Sequence, residues 1–173
     1  MSGWLKSKTQ ELSRWASSSA LRYFVVRGSC CADEFIQTQA ARYDLERFGA
    51  QQEADHRSAD VLVVLGAISE SAVEELKKIH SEMPEPKWVM AVGGCACSGG
   101  VFAPALGGSA VPGVSSCIPV DVLVSGCPPR PEAIIDGWIL LQSRVRGRSV
   151  LTKSQRKRQP RESLLETDDW RVT

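Results

Sequence analysis

The fold is decided by the stretch Ala59-Asp60-Val61-Leu62-Val63-Val64-Leu65-Gly66. Its unbroken aliphatic run, Val61 to Leu65, leaves no polar face, so it predicts a strand buried on both sides, as in a parallel sheet covered by helices. Downstream, Val73, Leu76, Ile79 and Met83 recur at helical intervals until Pro84 ends the pattern, and Ser71 and Glu74 have capping-box spacing. Strand and helix together form one β-α unit.

The same alternation extends in both directions. Tyr23 to Val26 reads as a short strand ahead of Gly28, and a helix is expected from Asp33 through Phe35, Ile36, Ala40 and Leu45 to a stop at Gly49. Asp33 and Glu34 suit the positive end of that helix. Trp88 to Val92 predicts a further strand, running into Gly93-Gly94-Cys95-Ala96-Cys97-Ser98-Gly99-Gly100, a segment read as too glycine-rich for regular structure. Val120 to Val124 predicts another, ending at Gly126-Cys127, and Pro131 opens a closing helix through Ile134, Trp138, Ile139 and Leu141. Residues 104–119 read as a Pro/Gly/Ser-rich excursion over the surface. Strands alternating with helices imply a three-layer α/β domain with a mostly parallel sheet.

A chain of 173 residues is long enough for one compact domain and too short for two ordinary domains plus a relay. With 43% hydrophobic and 24% charged residues it reads as a soluble globular protein rather than a disordered or membrane-spanning one. The net charge of +1 conceals a basic cluster at Lys153, Arg156, Lys157, Arg158 and Arg161, which reads as an arm. Glu162, Glu166, Asp168 and Asp169 dilute that charge and no aromatic stacking platform accompanies it, so nucleic-acid binding is not expected. Trp4, Leu5, Leu12, Trp15, Leu21 and Phe24 make an imperfect amphipathic amino-terminal helix, suited to a membrane surface, a partner or its own domain. No apolar run approaches the roughly 20 residues of a membrane-spanning helix, and a secretory signal is not evident. A cytoplasmic location is expected, in which six cysteines are metal ligands or buried thiols rather than disulfide partners.

Those cysteines carry the chemistry. Cys30 and Cys31 are adjacent, and Cys95 and Cys127 stand far along the chain in the settings Gly93-Gly94-Cys95 and Gly126-Cys127-Pro128-Pro129. Each group follows the end of an expected strand, the edge at which parallel α/β sheets bind their ligands. Adjacent thiolates grip a single ion poorly as a local chelate, but they reach different irons of a 4Fe-4S cube, which takes one thiolate per iron. Cys30, Cys31 and Cys127 follow from position. The fourth ligand is Cys95 or Cys97, with Cys95 favoured because it lies nearer the strand end. Cys97 and Cys117 are then small buried thiols. The glycines would admit backbone amides to the cluster sulfides, Arg130 would place a positive charge beside an anionic centre, and Glu34 is either a proton carrier or a favourable first-turn acid. Structural zinc is the competing use of the thiols, although tandem cysteines suit it poorly. Neither His56 nor His80 has a ligand-like neighbour, and the glycine-rich loop lacks the Lys-Ser/Thr ending of a P-loop.

Six segments now carry a resemblance: Gly28-Ser29-Cys30-Cys31, Arg42-Tyr43-Asp44-Leu45-Glu46-Arg47-Phe48-Gly49, Ala59 to Val64, Glu85-Pro86-Lys87-Trp88-Val89, Gly94 to Gly100, and Gly126-Cys127-Pro128-Pro129-Arg130-Pro131-Glu132-Ala133. From about Trp15 to Val145 the chain resembles the PSST-type B subunits of NADH-quinone oxidoreductase (complex I) and their relatives, the small subunits of membrane-bound energy-converting NiFe hydrogenases. The resemblance implies a flavodoxin-like sheet without flavin. It implies one 4Fe-4S cluster of the N2 type on Cys30, Cys31, Cys95 and Cys127, with Gly94, Ser98 and Arg130 around it and an acid at Glu34.

It further implies electron transfer to quinone at the boundary with a large D-type subunit, alongside a ferredoxin-like iron-sulfur subunit and a membrane subunit, on the cytoplasmic side of the cell membrane. Tandem cysteines resemble the complex I branch, whereas Arg42 to Gly49 and the Gly28-Ser29 lead-in resemble the hydrogenase branch. The expected organisation is an amino-terminal helix and lead-in strand (1–27), an iron-sulfur α/β domain (28–147) and a basic tail (148–173). The alternatives are a relay to a NiFe centre and, from another class, a zinc- or thiol-stabilised scaffold.

Overall fold

The computed structural model describes residue 12 and residues 15–147. Its centre is a five-stranded sheet formed by β1 (Leu21–Arg27), β2 (Ala50–Gln52), β3 (Val61–Leu65), β4 (Trp88–Val92) and β5 (Val122–Val124), in the order β2-β1-β3-β4-β5. Every pairing is parallel, with Val25 beside Val63, Val63 beside Met90, and Met90 beside Val122. β3 is buried along its whole length, as its unbroken aliphatic run requires. This is the doubly wound, flavodoxin-like order.

Side chains alternate across the sheet and build two cores. On one face Tyr23, Val63, Leu65 and Met90 meet Phe35 of α1 (Cys31–Gln39) and Ile134, Trp138 and Leu141 of α4 (Pro131–Gly147). Tyr23 takes the Phe35 and Trp138 rings edge-on, at centroid distances of 5.6 and 5.5 Å. On the other face Leu62, Val64, Val89 and Ala91 meet Leu76 and the adjoining Met83 of α2 (Val73–Glu82). Burying each such aliphatic side chain contributes about 1.5–3 kcal/mol before entropy is counted. α4 approaches β5 closely because position 137 is glycine: a Cβ there would lie 2.4 Å from Val124 Cγ2.

Several sequence expectations change in detail. Residues 104–119 are more than a surface excursion, since Val111, Val114 and Ile118 are buried and complete the second core. The helix expected to run toward Gly49 ends at Gln39. Ala40 is extended, Asp44 adopts the left-handed conformation at φ 49°, and Leu45–Phe48 forms a separate 3-10 turn. The edge strand β2 went unanticipated because Ala-Gln-Gln carries neither alternation nor an apolar run. Ser71 and Glu74 form no capping box; a 3-10 turn at Glu70–Ala72 leads into α2, and the Ser71 hydroxyl lies 2.9 Å from that of Ser69. The glycine-rich segment after β4 contains the short helix α3 (Gly94–Ser98).

At the amino end residues 15–19 are helical and Trp15 is exposed. Trp4 and the basic cluster from Lys153 to Arg161 lie outside the described residues. β1 pairs with both β2 and β3, so the lead-in strand is part of the sheet.

Candidate metal centre

Parallel strands deliver their carboxyl ends to one edge, and the loops there are tied to each other by main-chain bonds continuing past the strands. Gly28 N donates to Leu65 O at 2.7 Å, Gly66 N to Val92 O at 2.9 Å, Gly93 N to Val124 O at 2.7 Å and Gly94 N to Gly126 O at 2.7 Å. The Cys30-Cys31 turn crosses the end of β3 where Gly66 leaves room, since a Cβ at Gly66 would lie 1.9 Å from Ser29 Oγ. Ser29 Oγ also accepts a bond from Ala67 N at 3.2 Å. Cys31 is the first residue of α1 and is buried, Cys95 in α3 is buried, and Cys30 and Cys127 are exposed.

Two of these thiols are shifted in part by the others. The Cys31 thiol is pushed up to about 11, first by burial and then by Cys30, Cys95 and Cys127. Cys95 is raised by burial and next by Cys127, with Cys30 adding a smaller contribution. Thiolates that repel in this way are stabilised together by a cation that takes all of them. Among the described residues no three or more His, Cys, Asp or Glu side chains are gathered as a single metal ion requires. A multi-iron cluster gives each thiolate its own iron and so tolerates a wider spread than zinc with four bonds of about 2.3 Å. Two glycines leave space for the sulfurs: a Cβ at Gly93 would lie 2.4 Å from Cys31 Sγ, and one at Gly100 would lie 2.8 Å from Cys95 Sγ. The residues therefore fit a thiolate-held iron-sulfur group.

Other residues singled out in the sequence have more local roles. The amides of Gly93, Gly94 and Gly99 donate to Val124, Gly126 and Cys95 carbonyls, so these glycines make room instead of offering free donors. Ser98 Oγ donates to Gly94 O at 3.1 Å within its own turn. Cys97 is half-buried, its Sγ donates to Val124 O at 3.6 Å, and its thiol is raised by burial with no contribution from another cysteine. Cys117 is half-buried with its Sγ 3.4 Å from Ser116 Oγ. Glu34 is half-buried in the first turn of α1, and Arg130 is exposed just before α4. His56 braces the fold, its Nε2 lying 3.0 Å from Glu82 Oε2, a carboxylate that Arg57 Nη2 also reaches at 2.7 Å.

One group escaped the reading of the sequence. Tyr43 Oη donates to Glu132 Oε1 at 2.8 Å, and the Arg42 guanidinium lies over the Tyr43 ring at 5.5 Å. Both positions fall in segments that carry the family resemblance, yet no spacing rule connects residues so far apart.

A parallel α/β domain that presents thiols, rather than a phosphate-binding loop, at its strand ends is a scaffold suited to seat a metal group. The chain belongs to the family described as NADH ubiquinone oxidoreductase, 20 Kd subunit, which matches residues 29–141. It is similar to the NADH-quinone oxidoreductase B subunit of Flavobacterium johnsoniae, with 43% identity covering 88% of this chain and 82% of that protein. The corresponding B subunit of Citrifermentans bemidjiense is 40% identical over 82% of this chain and 81% of its own. Among solved structures it is similar to a chain of the membrane-bound sulfane sulfur reductase, an archaeal respiratory membrane complex, at 33% identity and a TM-score of 0.71, covering 79% of this chain and 76% of that one. This protein is accordingly one subunit of a multi-subunit oxidoreductase complex of the NADH-quinone type. No helix among the described residues is long and apolar enough to cross a membrane.

Proposed function

We propose that the chain holds one N2-type 4Fe-4S cluster on Cys30, Cys31, Cys95 and Cys127 and passes electrons to quinone where it meets a larger D-type subunit. The observation that carries this reading is the placement of the four cysteines just past β1, β4 and β5 at one sheet edge, where Gly93 and Gly100 leave room for the Cys31 and Cys95 sulfurs. The cluster, when bound, supplies one-electron storage. The protein's part is to hold the thiolates, exclude water around Cys31 and Cys95, and leave Cys30 and Cys127 on the side a partner covers. A groove of about 600 Å³, lined by Val26, Ile68, Leu76 and Phe102, opens beside Gly28 and Ser29, and an apolar cleft of that size suits a ring with a hydrocarbon tail.

Glu34 is the proton carrier of this proposal, and Arg130 a positive charge that moderates the anionic centre. Gly94 and Ser98 shape the turn that presents Cys95. Residues 28–147, with the lead-in strand β1 built into their sheet, form the cluster-bearing unit, and the amino-terminal Trp4 and Trp15 region and the basic tail 148–173 are docking surfaces. A ferredoxin-like iron-sulfur subunit would supply electrons, and a membrane subunit would hold the assembly at the cytoplasmic face of the membrane.

Anaerobic purification of the complex with iron analysis and low-temperature EPR tests the reading. Iron with a reducible signal, lost when any of the four cysteines becomes serine, is expected; zinc without iron overturns it. Glu34→Gln is expected to slow quinone reduction with iron content unchanged.

A second reading sends the electrons to a NiFe centre in the large subunit. It is favoured by the segment Arg42 to Gly49, which resembles the hydrogenase branch. Nickel in the purified complex, with cysteine ligands in the large subunit, would decide for it.

A further inference from the structure

Two helices tied to the ligands, α1 and α4, pack on the same core, and a side-chain hydrogen bond links the turn after α1 to the start of α4. α1 begins at Cys31 and leaves through a tight turn in which Tyr43 N and Asp44 N donate to Ala40 O at 3.0 and 2.9 Å. α4 begins at Pro131, directly after Cys127-Pro128-Pro129-Arg130. Tyr43 Oη, in the turn after α1, donates to Glu132 Oε1 in the first turn of α4 at 2.8 Å.

We propose that Tyr43 and Glu132 are a positioning pair that fixes the start of α4, and with it the Cys127 loop, against the turn that ends α1, the helix Cys31 opens, an inference that rests on the ligand set proposed above.

Both ends of the bridge are stiff. Asp44, next to Tyr43, occupies the left-handed region that closes the turn. Pro128, Pro129 and Pro131 restrict the backbone before Glu132. The pair also sits in a defined electrostatic setting. Glu132 is held below the usual carboxylate range by its own backbone amide and by the Tyr43 hydroxyl, with Arg130 and Arg42 adding to the effect. Tyr43 is raised chiefly by its bond to Glu132, and Arg42 and Glu34 are the other charges that act on it. A neutral phenol donating to an ionised carboxylate is a charge-assisted, directional bond, here at the surface beside the packed helices. The carboxylate then contributes a fixed negative charge five positions from Cys127, partly quenched by the phenol.

The experiment uses the assembled complex carrying Tyr43→Phe, Glu132→Gln or both, purified anaerobically, with iron content, EPR line shape and cluster midpoint potential as readouts. Iron content should match the parent. Tyr43→Phe leaves the carboxylate unquenched and should lower the midpoint; Glu132→Gln removes the charge and should raise it. The double variant should match Glu132→Gln alone, because Tyr43 acts through Glu132. Parent-like potentials and line shapes in both single variants, or additive shifts of one sign, overturn the inference while leaving the ligand set intact. Loss of the chain from the complex with Tyr43→Phe but not with Glu132→Gln also overturns it, making Tyr43 a packing residue in its own right. An unmodified complex with no iron-sulfur signal removes the ligand set and the pair together.

Discussion

Gly93, just past the end of β4, and Cys31, at the start of α1, share one volume: a Cβ on Gly93 would lie 2.4 Å from Cys31 Sγ. The glycine also sits at φ 101°, where an L side chain is strained regardless of space. Gly93→Ala should therefore displace the Cys31 thiol and the α3 loop together. The expected outcome is loss of most of the iron from the purified complex, measured by iron and acid-labile sulfide analysis. Full iron content would show that Cys31 Sγ is not confined there.

Cys95 and Cys97 lie two residues apart in one short helix and face different surroundings. The thiol of Cys95 is influenced by Cys127 and Cys30, whereas that of Cys97 donates to the Val124 carbonyl. Cys95→Ser should abolish the EPR signal. Cys97→Ala should leave iron and signal at parental level and cost at most about 1 kcal/mol, the scale of one ordinary hydrogen bond. The reverse pattern would exchange the two roles.

The contact between α4 and β5 depends on the missing side chain at position 137. Gly137→Val should overpack it, with a cost of about 1–3 kcal/mol and a wider separation of α4 from Val124. Thermal dissociation of the chain from the complex should start at a lower temperature. Because α4 follows the Cys127 loop, iron should be lost in the same transition.

Removal of metal should expose a pH dependence at Cys31. Its thiol is raised from 9.0 to about 11, so the fold holds the proton more tightly than the unfolded chain does. That contribution to stability is present in full below about pH 9 and is lost as pH rises toward 11. In chelator-stripped complex, alkylation of Cys31 should stay slow at pH 8 and accelerate toward pH 11, as followed by mass spectrometry. Fast alkylation at pH 8 would contradict burial of the thiol.

Much of the architecture was legible because its signals are local. Val61–Leu65 and Trp88–Val92 are apolar on both faces, and Leu76 and Met83 follow the period of an amphipathic helix, so their burial could be read position by position. Where the reading failed, local pattern had no vote. β2 exists because Ala50–Gln52 completes the edge of β1, and Val111, Val114 and Ile118 are buried because α2 leaves part of the sheet uncovered. The glycines after β4 looked like flexible loop, but their absent side chains make room for thiols and a short helix.

By itself the amino-acid sequence determined a parallel α/β domain with cysteines after its strands, since burial periodicity and strand direction together dictate which edge the loops occupy. Only the tertiary structure decided which thiols are buried, which glycines are spaces for sulfur, and that Tyr43 reaches Glu132. Those are relations between residues far apart along the chain, and their distances depend on how helices settle against the sheet, a quantity that no repeat within a single segment encodes.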